Sequence, residues 1–270
     1  MSSDLQDSNS TAFFGHPIGL RTLFFTEMWE RMSYYGMRGL LVLYMTIGVV
    51  ENPGLDWSNI QANAIYGIYA GMVYFLAVPG GWIADNILGY QKAVLIGALI
   101  ITLGHFTLAI PLEQTFILGL VFVALGTGLL KPNISSIVGQ LYSQNDSRRD
   151  SGFTIFYMAI NIGSMLGFAV CGWLGEKVGW HFGFGAAGVG MLFGVTQFIL
   201  FRHQLGEAGK YPNKINEQTI LLKNISPESM GELIAIWENK TIFMSMFWNI
   251  NPFDQWGVEL GKFNTKREIE

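Results

Sequence analysis

Between residues 22 and 201 the chain alternates long apolar runs with short polar interruptions. The runs fall at about 22–49, 60–84, 92–111, 115–139, 153–174 and 181–201. Each reaches about twenty residues, the length an α-helix needs to cross a hydrocarbon core about 30 Å thick. The interruptions read ENPGLDWS, DNILGYQ, PLEQ, LYSQNDSRRDS and GEKVGW, rich in the residues that end helices and make turns. The pattern predicts six membrane-crossing helices joined by short loops. An even number of crossings places both ends of this region on one side.

Composition agrees with that reading. Of 270 residues, 50% are hydrophobic and only 13% charged, with 33 Gly and 20 Phe. Gly and aromatic residues are both enriched in membrane proteins. A net charge of −4 gives no reason to expect a nucleic-acid partner. The single cysteine, Cys171, lies in an apolar run, which excludes an intrachain disulfide and suits a small core residue. No cofactor or metal motif is read. The first residues, MSSDLQDSNSTAFFGHP, lack the basic start and short apolar stretch of a cleaved signal peptide, so the first run is expected to remain in the mature chain.

Charge is spread unevenly. Residues 1–206 hold twenty Asp, Glu, Lys or Arg, about 10%, and residues 207–270 hold sixteen, 25%. Such a shift marks a boundary. The expected organisation is a cytoplasmic segment at 1–20, a six-helix membrane unit at 21–204 and a soluble tail at 205–270. The bias of Lys and Arg sets the orientation. With a cytoplasmic N-terminus, the inner segments hold Arg21, Lys92, Arg148, Arg149, Arg202 and Lys210, and the outer loops hold Lys177. Both ends of the six-helix unit are therefore expected in the cytoplasm, in a multi-pass protein of the inner (plasma) membrane.

The first run carries EMWERMSYYG at positions 27–36, with Arg38 just beyond. On a helix, Glu27, Glu30, Arg31, Tyr34 and Arg38 share a sector of about 100°, with Tyr35 at its edge, while Met28, Trp29, Met32 and Leu40 lie opposite. Charge in the bilayer costs about 2.5–3.5 kcal/mol per residue on insertion scales, so such groups face a wet path or a partner. Glu27 and Arg31 are also i,i+4 partners. The two readings left open are a structural ion pair near the membrane edge and a site for protons and a charged solute. The fourth run places Lys131 beside Pro132 and Asn133. Pro132 removes a helical hydrogen bond, and the freed carbonyl is expected to line a cavity with the lysine. The fifth run contains Asn161, either a helix–helix hydrogen bond or a cavity group.

Four stretches together resemble the proton-dependent oligopeptide transporter family of the major facilitator superfamily. EMWERMSYYG is similar to that family's ExxERFxYYG signature, with Met32 in place of Phe. GTGLLKPN and RRDSGFTIFYMAINIGS resemble its fourth- and fifth-helix stretches, and GGWIADNILGYQK the superfamily loop between helices two and three. The resemblance implies an all-α membrane protein, the six-helix N-terminal half of a major facilitator fold. It implies a proton-coupling cluster of Glu27, Glu30, Arg31 and Lys131. It implies a peptide pocket of Tyr34, Tyr35, Arg38, Tyr74 and Asn161, with Tyr66 and Tyr69 as competitors of Tyr74. The implied partners are protons, di- or tripeptides and the lipid bilayer. Family members place their substrate between two six-helix halves. One half is recognised here, so transport is expected to need a second.

The tail reads differently. TILLKNISPESMGELIAIWENKTIFMSMFWNINPFDQWGVELGK resembles the C-terminal region of glucose-6-phosphate isomerase, and NPFDQWGVELGK is close to a signature segment of that enzyme. That resemblance matches Gln255 and Lys262 to residues that reach its active site. The glutamate base and ring-opening histidine of that enzyme come from other segments, so the pair is expected to be orphaned and the chain not to be an enzyme. The ten apolar residues TIFMSMFWNI are too few to cross a membrane. A short, poorly packed helical appendage is expected, joined to the transporter half near 205–214.

Overall fold

Backbone in hydrocarbon must satisfy its own hydrogen bonds, so a chain of apolar runs folds as helices. The computed structural model describes residues 13–48, 51–143 and 145–212. The tail from residue 213 on, with Gln255 and Lys262, lies outside the described residues. Helix α1 is Ile18–Thr46. The second crossing is α2 (Asn59–Phe75), α3 (Ala77–Ile83) and a π-turn Ala84–Leu88 in one continuous rod. The third and fourth are α4 (Tyr90–Leu108) and α5 (Glu113–Gln140). The fifth joins α6 (Arg149–Gly167), a π-turn Phe168–Gly172 and α7 (Trp173–Lys177). The sixth is α8 (Trp180–Phe201), closed by a 3-10 turn Arg202–Leu205. The described residues are all-helical apart from one isolated bridge between Phe13 and His16.

All six predicted runs are helices, and their ends differ in instructive places. Helix α1 begins at Ile18, a turn before its apolar run, because Pro17 fixes a non-helical start. GEKVGW was expected as a loop, but its first residues complete α7 and only Val178 and Gly179 turn the chain. Gly179 sits at φ 153, ψ 145, a backbone region open essentially to glycine. Five rods are apolar enough to cross a membrane by length and composition. The sixth, α1, has the length but carries five charges.

Helix α1 is the centre of the unit, packed against α6 on one side and α8 on the other. The α6 contact runs on Gly163 and Gly167, a small-xxx-small pair that admits a close backbone approach. A Cβ on Gly163 would stand 2.3 Å from the Met28 carbonyl oxygen, and one on Gly167 2.4 Å from that of Met32. On the other side Trp29 packs on Phe193 at 5.3 Å between ring centroids. The expected division of α1 into a polar stripe and an apolar back does not become a division into covered and bare faces: Met28 and Met32 are buried along with Glu27 and Arg31, because helices cover both faces.

Helices α4 and α5 form a second close pair through Gly97 and Gly126. The kink residue Pro132 has a different consequence from the one expected. Its ring removes the donor that would bond the Gly128 carbonyl. That oxygen does not line a cavity: Gly80 of α3 is pressed against it, so closely that a Cβ on Gly80 would lie 2.1 Å away. Asn133 binds the same crossing, donating to the Leu129 carbonyl at 2.6 Å and the Gly80 carbonyl at 3.2 Å. The loop after α1 folds back to cap it, with Leu55 and Trp57 amides donating to the Tyr44 and Met45 carbonyls.

Candidate functional site

Glu27, Glu30 and Arg31 lie within about one turn of α1, and the fold buries all three. Glu30 stands twelve residues into the helix, about 18 Å from its start at 1.5 Å per residue. That places it near the middle of the 29-residue helix. The guanidinium Nε of Arg31 is 2.7 Å from Glu27 Oε1 and 2.6 Å from Glu30 Oε2. Only the Glu27 contact has hydrogen-bond geometry. Glu27 Oε2, both oxygens of Glu30 and Arg31 Nη2 are buried without a hydrogen-bond partner among the described residues. Two carboxylates thus share one cation in a site closed to water, an expensive arrangement.

Beyond the triad the helix opens. The ring of Tyr34 lies against the guanidinium, with Arg31 Cζ 5.5 Å from its centroid. Tyr34 and Tyr35 meet edge to face at 5.3 Å, and Tyr35 leans toward Phe168. Arg38 is exposed; its Nε donates to the Tyr66 hydroxyl at 2.5 Å and its Cζ lies 5.6 Å from that ring. On α5, Lys131 stands over the ring of Tyr74 at 4.9 Å, within electrostatic reach of Glu30. Tyr69 is buried, with its hydroxyl unpartnered among the described residues. Asn161 is exposed on α6, its carbonyl accepting from Ser164 Oγ at 2.9 Å.

The structure therefore brings Glu27, Glu30, Arg31 and Tyr34 into one contact group. It pairs Lys131 with Tyr74. It gives Arg38 a partner, Tyr66, that stood only as a competitor for Tyr74. Among the described residues no hydrogen bond or ion pair joins Asn161 to the group. Sequence spacing could not choose among Tyr66, Tyr69 and Tyr74: each is aromatic, and which one an arginine reaches depends on the tilt of α2 against α1. The described residues hold no cluster of three or more metal-ligating side chains.

At the end of the bundle where α1 begins, a second polar group holds the chain in place. His16 Nδ1 is 2.9 Å from the Tyr142 hydroxyl. Arg148 grips Asp146 through two nitrogens, at 3.0 and 2.8 Å, and donates to the Gly15 carbonyl at 3.1 Å. Asp146 is held down at about 2 by those hydrogen bonds from Arg148. Burial pushes the Tyr142 phenol up to about 12 and, with Arg148, lowers His16.

Comparison with known proteins assigns this architecture. A di-/tripeptide transporter of Lactococcus lactis subsp. lactis (strain IL1403) is 46% identical over 213 residues, covering 77% of this chain and 42% of that protein. The uncharacterized transporter YclF of Bacillus subtilis (strain 168) is 49% identical over 212 residues, 77% of this chain and 43% of that one. The crystal structure of a peptide transporter POT in complex with sulfate superposes with a TM-score of 0.73 at 42% identity, covering 94% of this chain and 51% of the other. That of a POT family transporter in complex with 5-aminolevulinic acid does so with 0.73 at 36% identity, covering 93% and 51%. The chain thus spans about half the length of the relatives it matches. The family model described as "POT family" matches residues 91–247 and so passes the composition break near 205–214. The chain belongs to the POT family of membrane transporters, and its described helices are one six-helix half of the major facilitator fold.

Proposed function

We propose that these helices are the N-terminal half of a proton-coupled di- or tripeptide symporter of the inner (plasma) membrane. The observation that carries the reading is the buried triad, two carboxylates on one guanidinium at mid-helix. With both acids ionised the site holds surplus negative charge, which a proton cancels at least steric cost. Protonation of Glu27 or Glu30 loosens a bond to Arg31, and Lys131, in electrostatic reach of Glu30, takes part in the exchange. Coupling follows if the peptide carboxylate competes for the same cations. Arg38 and Lys131 suit that carboxylate. Tyr34, Tyr35 and Tyr74 form a wall tolerant of varied side chains, and Asn161 faces the peptide ammonium together with an acid from the second half.

The second half would cover the Asn59–Leu88 and Arg149–Lys177 rods, which carry exposed Tyr74, Phe75, Tyr157 and Met165. Alternating access needs two halves moving about a central site. These 270 residues alone are therefore expected to give background uptake of a labelled dipeptide into proteoliposomes under an inward proton gradient. Fused to the second half of the Lactococcus lactis relative, they are expected to give gradient-driven uptake that Glu30→Gln abolishes. Uptake by the chain alone, abolished by Glu30→Gln, would overturn the need for a partner; a fusion that never transports would overturn the reading.

Both ends of the membrane unit are placed in the cytoplasm. A cysteine put at Asp146 should resist impermeant reagents in intact cells, and its modification from outside would reverse the orientation. The segment NPFDQWGVELGK lies beyond residue 247, outside the family match, and there the likeness to glucose-6-phosphate isomerase stands as a second reading. Gln255 and Lys262 would be catalytically silent, since neither supplies the base that moves a proton between C1 and C2.

A further inference from the structure

A basic cleft opens where α4 begins and α8 ends. After the 3-10 turn Arg202–Leu205 the chain folds back onto the start of α4. There the Gln91 amide donates to the Gly209 carbonyl at 2.8 Å and its Nε2 to the Ala208 carbonyl at 2.7 Å. From the far side, the Gly209 amide donates to Gln140 Oε1 at 2.6 Å. These bonds pin the walls of a cleft of about 520 Å³ whose lining includes Lys92, Arg202, His203, Glu207 and Lys210. Three cations face one carboxylate, and that carboxylate is held by Lys210 at 2.7 Å. Among the described residues neither Lys92 nor Arg202 has an acidic partner within ion-pair distance. His203 lines the same wall, its Nδ1 3.0 Å from the Leu200 carbonyl oxygen.

The cleft adjoins a greasy surface. Ile199, Leu200 and Phe201, just before Arg202, are all exposed on the outer side of α8. Cations at the end of a membrane span, beside bare apolar side chains, suit a ligand with an anionic head and hydrocarbon chains. We propose that this cleft binds the phosphate of an anionic membrane lipid, its acyl chains lying along the end of α8. The proposal rests on the membrane reading, and in the orientation given above the site faces the cytoplasmic leaflet. It is separate from the triad on α1 and asks nothing of the transport cycle.

Native mass spectrometry of the full chain, released from mixed phosphatidylglycerol and phosphatidylcholine micelles, tests it. Recovery in the membrane fraction is checked first; a chain that does not insert overturns the membrane reading and this site with it. An inserted chain is expected to retain one phosphatidylglycerol in preference to phosphatidylcholine. Each cation removed, by Lys92→Gln or Arg202→Gln, should weaken retention about fivefold. Glu207→Gln, which frees Lys210, should strengthen it, so the test does not depend on loss alone. Lys177→Gln, exposed at the end of α7 and away from the cleft, should change nothing. Equal retention of the two lipids, indifference to the Lys92 and Arg202 substitutions, or equal sensitivity to Lys177→Gln would overturn the site. If millimolar inorganic phosphate raises the melting temperature in pure phosphatidylcholine and phosphatidylglycerol adds nothing, the ligand is a free anion and the lipid assignment is wrong.

Discussion

Helix α1 carries five charged side chains and is buried along most of its length, whereas the Asn59–Leu88 and Arg149–Lys177 rods are far more apolar and mostly uncovered. In water that ordering would be perverse. In a bilayer lipid is as good a neighbour for a leucine as another helix, so apolar surface needs no protein cover, while charge must be hidden inside the protein. What holds the charged helix at the centre is shape rather than greasiness: glycines on α6 let it approach to backbone contact, and glycines on α8 leave room for its Trp29, Met32 and Leu40 side chains. The charged and apolar helices should therefore respond oppositely to the same kinds of change.

The largest difference is expected from adding bulk. Gly167→Leu drives a side chain into the Met32 carbonyl and the Gly36 amide of α1, backbone atoms that cannot swing aside. A loss of about 3 kcal/mol or more is expected, with a large drop in melting temperature of the purified chain. Gly71→Leu on α2 meets nothing within 4 Å and should stay within about 0.5 kcal/mol. Equal melting temperatures for the two variants would break the claim that close glycine packing seats α1.

Removing charge should separate the regions next. Arg31→Ala leaves two buried carboxylates without their cation and should cost about 3–5 kcal/mol. Arg38→Ala, two turns along and exposed, should cost less than about 1 kcal/mol. Adding Glu27→Gln and Glu30→Gln to Arg31→Ala should recover much of the loss, because the fully buried triad then holds no charge. A triple variant as unstable as the single one would show that Arg31 acts through packing instead.

The smallest effect concerns pH at the end of the bundle, outside the membrane. His16 is held below its ordinary value of 6.5, by burial first and by Arg148 second. A depressed histidine favours the neutral ring in the fold, so its contribution is present above 6.5 and declines as pH falls below that value. Asp146, held at about 2, keeps its contribution until pH drops from 3.8 toward 2, and Tyr142, raised to about 12, keeps its proton throughout. Melting temperature should therefore sag modestly between pH 7 and 5, and His16→Asn should flatten that slope. A slope unchanged by the substitution would place the sensitivity elsewhere.

Much of this was legible in the chain itself. Six apolar runs of bilayer length require six helices whatever their neighbours, because unpaired backbone is intolerable in hydrocarbon. EMWERMSYYG alone brings two acids and an arginine within one helical turn, so the Glu27–Arg31 pair follows from spacing, and the motif order pointed to the family that the comparisons then returned. Tertiary structure decided what spacing leaves free. Nothing local to Pro132 says that its orphaned carbonyl will be met by Gly80, fifty residues earlier. Nothing local to Arg38 selects Tyr66 over Tyr69 or Tyr74, since that choice is set by helix tilt. The burial of α1 on both faces was also invisible, because helix periodicity records which face of a helix is polar and carries no information on how many partners will cover it.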